Sequence, residues 1–222
     1  MDRAFRNMRI GVLERRHPPG HRGALITPLV PLLREYGAHV DVVHAELGPH
    51  RLDRKPPWDV VVLKSGMAAA LHLAAAAEGW GIPCVNTTDA TRLAQNKLAS
   101  MAILQRANIP TSPSYLAWLD TTPPSAKKLA SFNLWADRRV LVKAARGAQG
   151  VGLWSAEPGE LPDLITQLRP GPYLITEYLP HEGDDLKIFV AGDWIAAIER
   201  PFPAKTYEQK LGRPVPVPRR RA

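Results

Sequence analysis

An α/β layer followed by an α+β layer is the fold class that this 222-residue sequence predicts. Three observations predict it. Short apolar runs alternate with helical stretches as far as residue 87. A polar, proline-containing stretch at 120–128 interrupts the chain. From Val140 onward, β-forming runs follow one another with turns between them and one short helix. Alternation of strand and helix calls for a parallel sheet with right-handed crossovers, whereas strands joined by tight turns call for antiparallel pairing.

The elements follow in order. Met8–Leu13, "MRIGVL", predicts the first strand, and a proline/glycine loop at 14–24, "ERRHPPGHRGA", leaves its end. A helix is expected across Leu25–Tyr36 and a strand at His39–Val43. Residues 45–57 are polar and proline-rich; Asp59–Leu63, "DVVVL", is a strongly apolar strand. An alanine-rich helix over Met67–Ala77 and a strand at Ile82–Val85 complete this layer. Thr88 reads as the N-cap of a helix continuing to Ala107, because Leu93, Leu98, Met101, Ala102 and Leu104 recur with helical period. "NIPTSPSYLAW" ends that helix and begins a strand. A hairpin at Val140, a short helix near 160–168 and strands at Tyr173–Glu177, Leu186–Ala191 and Trp194–Arg200 follow. "AGDW" at 191–194 is a hairpin turn of the Gly-Asp kind. The sequence carries no internal repeat.

Composition narrows the function classes. Hydrophobic residues make up 45% and charged residues 23%, which are globular values. The lone Cys84 lies in an apolar run, which suits a core residue and a reducing compartment. Met1–Asn7 has no apolar run after it of the kind a secretory signal needs, and Met67–Val85 is too interrupted to span a membrane. A soluble, cytoplasmic protein is the expectation. The net charge of +8 raises nucleic acid as a partner, but residues 209–222 hold five basic residues and no acid. Without them 24 basic and 21 acidic residues remain, a mild excess suited to nucleotides and other small anions. No aromatic RNA-binding motif, zinc finger or recognition-helix pattern supports nucleic-acid readout.

The stretch "VLVKAARGAQGVGLW" at 140–154 carries the chemistry. Val140–Val142 deliver Lys143 to the end of a strand, and Gly147, Gly150 and Gly152 make a loop whose backbone can approach a ligand closely. Free N–H groups beside an ammonium suit phosphate oxygens. The spacing is neither a Walker A loop nor a dinucleotide fingerprint. No Ser or Cys pairs with a histidine as a nucleophile would require.

Taken in order, Lys97 in "AQNKLASMAILQRANIP", Lys143 with its glycine loop, and "LITEYLPHEGDDLKIFVAGD" resemble the ATP-grasp superfamily, most closely its RimK-like branch of carboxylate–amine ligases. The resemblance covers roughly residues 8–212. It implies a pre-ATP-grasp domain at 1–87, a nucleotide-binding region at 88–212 that is C-terminally incomplete, and a basic, proline-rich tail at 213–222. It implies ATP and Mg2+ as cofactors, with Lys97 and Lys143 on the phosphates. Gly147, Gln149, Gly150, Val151 and Gly152 would form the lid, and Glu177, Tyr178 and Leu179 the hinge that reads adenine and approaches the ribose. Asp185 and Lys187 are implied as further nucleotide contacts, and Arg200 and Lys205 as residues at the acyl-phosphate and substrate side. The loops at 14–24 and 201–212 are where substrate choice is expected.

The family's magnesium ligands have no counterpart, since no acidic residue follows Glu208; Asp184, Asp185 and Glu199 are the candidates for substitutes. The metal ligands are therefore unassigned. Four readings follow: a ligase working through an acyl phosphate, half of a split enzyme completed by another chain, a nucleotide-binding protein without turnover, or a small-molecule kinase of the kind that phosphorylates inositol phosphates. An exposed apolar face, with self-association or a partner chain, is the accompanying expectation.

Overall fold

The computed structural model describes residues 5–17, 26–120, 125, 128, 131, 137–146, 152–180, 183–202, 209 and 211–217. Gly147, Gln149, Gly150 and Val151 of the expected lid, Lys205, most of the 14–24 loop and most of the 120–128 stretch lie outside them. The chain divides into two compact units, one of residues 1–10, 16–41 and 180–222, the other of residues 11–15 and 42–179.

The first sheet contains β1 (Arg9–Leu13), β2 (His39–Val43), β3 (Val60–Leu63) and β4 (Cys84–Val85), in the order β2-β1-β3-β4. It is the expected parallel sheet, with β3 and β4 paired in parallel. β1 is buried at four of its five residues, as an interior strand covered on both faces should be. β4 is shorter than expected because Pro83 has no N–H to give the ladder; its carbonyl instead accepts from Val61 N–H at 2.9 Å. Helices α1 (Ile26–Glu35) and α2 (Ala68–Gly79) connect successive strands. The alanines of α2 let its axis come close to β3, and Leu71, Leu73, Ala74 and Ala77 join Leu13, Val61, Leu63, Trp58 and Cys84 in one core. Cys84 is thus a core residue, with burial and the Glu78 carboxylate pushing its thiol up to about 11.

The single helix expected over Thr88–Ala107 is two helices, α3 (Thr88–Gln95) and α4 (Lys97–Arg106). Asn96 divides them in an extended conformation, φ −94° and ψ 97°, and its side-chain oxygen accepts from Leu98 N–H and Ala99 N–H, both at 3.2 Å. An asparagine offers its own amide to the backbone in place of the helical bond, which is why it favours caps over helix interiors. The N-cap of α3 is Thr87, whose hydroxyl accepts from Ala90 N–H. Thr88 is the first helical residue, buried, with its N–H and hydroxyl both donating to the Glu78 carboxylate. The apolar periodicity runs through the break, so it could not report it.

The second sheet is antiparallel. Strands β5 (Ser114–Leu119), β6 (Val140–Ala144), β7 (Leu153–Ala156) and β8 (Gly171–Glu177) take the order β5-β8-β6-β7. Helix α5 (Leu161–Gln167) packs on one face, where Leu161 and Ile165 meet Val140, Val142, Ala156, Tyr173 and Ile175. By the alternation of the pleat, Leu141, Lys143, Leu174 and Thr176 lie on the opposite face.

The third sheet, of order β11-β10-β9, contains β9 (Asp184–Ala191), β10 (Trp194–Pro201) and β11 (Arg213–Val215). Trp194 pairs with Ala191, leaving Gly192–Asp193 as the two-residue turn. Arg213–Val215, expected within the basic tail, pair with Ala197–Glu199, and Arg213 forms an ion pair with Glu199. Leu186, Ile188, Val190 and Ile195 share one face of this sheet and are all exposed. Among the described residues no helix is long and apolar enough to cross a membrane.

Candidate functional site

Lys97 and Lys143 are 46 residues apart in sequence, and the second unit brings them together. Because Asn96 ends α3 and caps α4, Lys97 is the first residue of the new helix. Its N–H donates to Ala145 O at 3.2 Å and its Nζ to Ala144 O at 3.0 Å. These carbonyls belong to the last residue of β6 and the residue after it, directly following Lys143. Lys143 is fixed by register, opposite Leu153 on one side and Leu174 on the other.

Electrostatics agree with the geometry. Burial holds the Lys97 ammonium below the usual lysine range. Burial lowers Lys143 as well, and the neighbouring positive charge of Lys97 lowers it further. Two part-buried ammonium groups that repel one another are an unfavourable arrangement in the free protein. A bound polyanion relieves both penalties at once. The pair therefore fits a phosphate chain.

Gly152 precedes β7 and lies against the end of β6. Its φ of +72° is a left-handed conformation suited to glycine, its carbonyl accepts from Ala144 N–H at 2.8 Å, and an added Cβ would come within 2.9 Å of the Ala144 methyl. Gly152 is thus held tightly against the Lys143 strand.

The residues that the resemblance implies for the hinge stand at and just after the end of β8. Glu177 stands opposite Val140, so its side chain projects to the α5 face of the sheet, away from the face of Lys143. Its carboxylate accepts from Arg138 Nη1 at 3.0 Å. Tyr178 N–H donates to Arg139 O at 3.0 Å, and its ring lies 4.4 Å from the Arg139 guanidinium. Leu179, the third hinge residue, is exposed.

In the first unit, Asp185 and Arg200 are register partners on β9 and β10 and form a bidentate pair at 2.6 and 2.7 Å. The resemblance implies a nucleotide role for Asp185 and a substrate-side role for Arg200, and the two side chains hold one another. Lys187 lies on the same face of β9, with Nζ 4.9 Å from the Phe189 ring. Among the described residues no group of three or more His, Cys, Asp or Glu could hold a metal ion. Of the proposed substitutes, Asp185 is occupied by Arg200 and Glu199 by Arg213. The paired lysines fit a phosphate chain, and among the described residues no cluster of metal ligands accompanies them.

Asn96, Arg138 and Arg139 were not singled out from sequence. An Asn-Lys step within a helical pattern was a usable signal for the first. The arginines carried none, because their partners are 39 residues away across a sheet.

Comparison with known proteins agrees with this architecture. No family model matches the chain. A probable alpha-L-glutamate ligase of Pasteurella multocida is 26% identical over 191 residues, covering 80% of this chain and 58% of that protein. A second protein so described, from Mannheimia succiniciproducens, is 28% identical over 153 residues, 64% of this chain and 48% of that one. The chain thus spans about half the length of the curated relatives it matches. A RimK domain ATP-grasp protein of Sphaerobacter thermophilus superposes with a TM-score of 0.65 at 18% identity, covering 90% of this chain and 75% of that one. D-alanyl-alanine synthetase A of Vibrio cholerae gives 0.64 at 19% identity, with 94% and 72% covered.

Proposed function

We propose that this chain, an ATP-grasp protein of RimK-like type, binds ATP through Lys97 and Lys143 and serves the ATP-dependent joining of a carboxylate to an amine. The observation that carries the reading is the convergence of two part-buried lysines at the end of β6, beside Gly152. In such a reaction a carboxylate attacks the γ-phosphorus of ATP, ADP leaves, and the acyl phosphate formed is intercepted by the amine with loss of phosphate. The protein's share is positioning and charge neutralisation, the work to which lysines and loop amides are suited.

In this reading residues 1–87 are the pre-ATP-grasp layer and 88–212 the nucleotide-binding region. Gly147, Gln149, Gly150, Val151 and Gly152 cover the phosphates. Glu177, Tyr178 and Leu179 present backbone groups to the base, with the Glu177 carboxylate kept on the other face. Asp185 and Lys187 are further nucleotide contacts, and Arg200 and Lys205 belong to the acyl-phosphate and substrate side. Mg2+ accompanies ATP, with no step assigned to a metal held by the described residues. The name given to the curated relatives makes L-glutamate the first substrate to test. A cytoplasmic setting suits an ATP-dependent ligase.

Calorimetric titration of ATP, with Mg2+ and again with chelator, tests binding; ADP release with L-glutamate and a panel of carboxylates tests turnover. Binding with amine-dependent ADP release supports ligation. Release that requires a hydroxyl compound and no amine indicates a kinase. Binding without turnover indicates a nucleotide-binding subunit or half-enzyme. Absence of ATP binding overturns the proposal.

A further inference from the structure

Resting on the reading of Glu177–Leu179 as the base-reading segment, we infer that Arg139 is a positioning residue that sets nucleobase discrimination without touching the nucleotide. Three contacts converge on it. Its carbonyl accepts from Tyr178 N–H at 3.0 Å, one rung beyond the β6–β8 ladder, whose last pair is Val140 with Glu177. Its guanidinium lies 4.4 Å from the Tyr178 ring. Its Nε pairs with Glu157 Oε1, just past β7, at 3.0 Å. The neighbouring Arg138 holds the Glu177 carboxylate.

Two consecutive arginines thus tie both Glu177 and Tyr178 to the start of β6. Past the bond from Tyr178 N–H to Arg139 O, the backbone of this segment leaves the sheet and has no further rung of β6 to hold it. A backbone that must meet a base edge with its N–H and C=O groups needs its dihedrals held, and at this position side chains hold them. Phosphate affinity depends on other residues, Lys97 and Lys143, at the opposite end of β6. Arg139 therefore bears on which base is accepted and not on whether a phosphate chain binds.

The test compares Arg139→Ala and Arg139→Lys with the unsubstituted chain in titrations of ATP, GTP and inorganic tripolyphosphate. Hydrogen exchange over residues 174–180 is followed alongside. Arg139→Ala weakens ATP about fivefold, the scale of an exposed cation–π contact, narrows the ATP-to-GTP ratio, and leaves tripolyphosphate unchanged. Exchange at Tyr178 and Leu179 rises. Arg139→Lys, which keeps a cation for Tyr178 and Glu157, recovers most of both. Equal weakening of ATP and tripolyphosphate, an unchanged ATP-to-GTP ratio, or unchanged exchange overturns the inference. Failure of the unsubstituted chain to bind ATP overturns the functional reading itself and this inference with it.

Discussion

Replacing Lys143 with methionine separates function from stability. Lys143 is half-buried in β6, next to the Lys97 ammonium, and both groups are held below the ordinary lysine range. At about 4 Å and an effective dielectric near 20, an ammonium and a phosphate charge attract by roughly 4 kcal/mol before desolvation. A hydrogen bond to a charged group contributes about 1.5–3 kcal/mol net. Burial of Lys143 in the free protein means that part of its desolvation accompanies folding rather than binding, which favours the upper half of that range. Lys143→Met should therefore raise the Kd for ATP by about 45- to 160-fold. The free variant should be no less stable than the original, because a part-buried charge facing a like charge is replaced by an apolar chain of similar length. Calorimetric titration measures the first and thermal melting without nucleotide the second. An ATP Kd within about threefold of the original, or a melting temperature lowered by several degrees, would refute the reasoning.

Three further outcomes follow. Asn96→Ala removes the cap of α4, which costs about 1 kcal/mol, and loosens the placement of Lys97, so the melting temperature and ATP affinity should fall together. If only stability falls, the break between α3 and α4 does not position the site. Both lysines have depressed pKa values, which an anion raises, so ATP binding should take up protons increasingly as pH rises above neutrality, and affinity should fall as pH passes the free-state lysine values. Titration in buffers of different ionisation enthalpy measures the uptake; proton release at alkaline pH would contradict it. Cys84, with its thiol at about 11 and packed in the first core, should resist alkylation at pH 8 in the native protein and react on unfolding. Immediate native labelling would contradict the packing described for α2.

Much of the architecture was legible locally. The strands at 39–43, 140–144 and 171–177 and the helix at 161–167 follow from runs of β-formers or helical period and from punctuation by Gly and Pro. The candidate lysines were visible because a strand ending in Lys143 and a helix bearing Lys97 stand in a recognisable order. The division at Asn96 escaped because the apolar stripe of α3 and α4 continues across it while the capping bond acts on the backbone. β11 escaped because a strand of three residues with a proline has no period to display.

By itself, then, the sequence determined which segments become strands and helices, the mild basicity outside 209–222, and which residue types could meet a phosphate chain. Those properties are summed from neighbours along the chain. Only the tertiary structure decided that Lys97 touches the end of β6, that Glu177 projects away from Lys143 toward Arg138, and that Asp185 and Arg200 hold one another. Each depends on strand register, and a shift of one residue turns every side chain to the opposite face. Register is settled by the packing of both faces of a sheet between residues tens of positions apart, a cooperative choice that no local window contains.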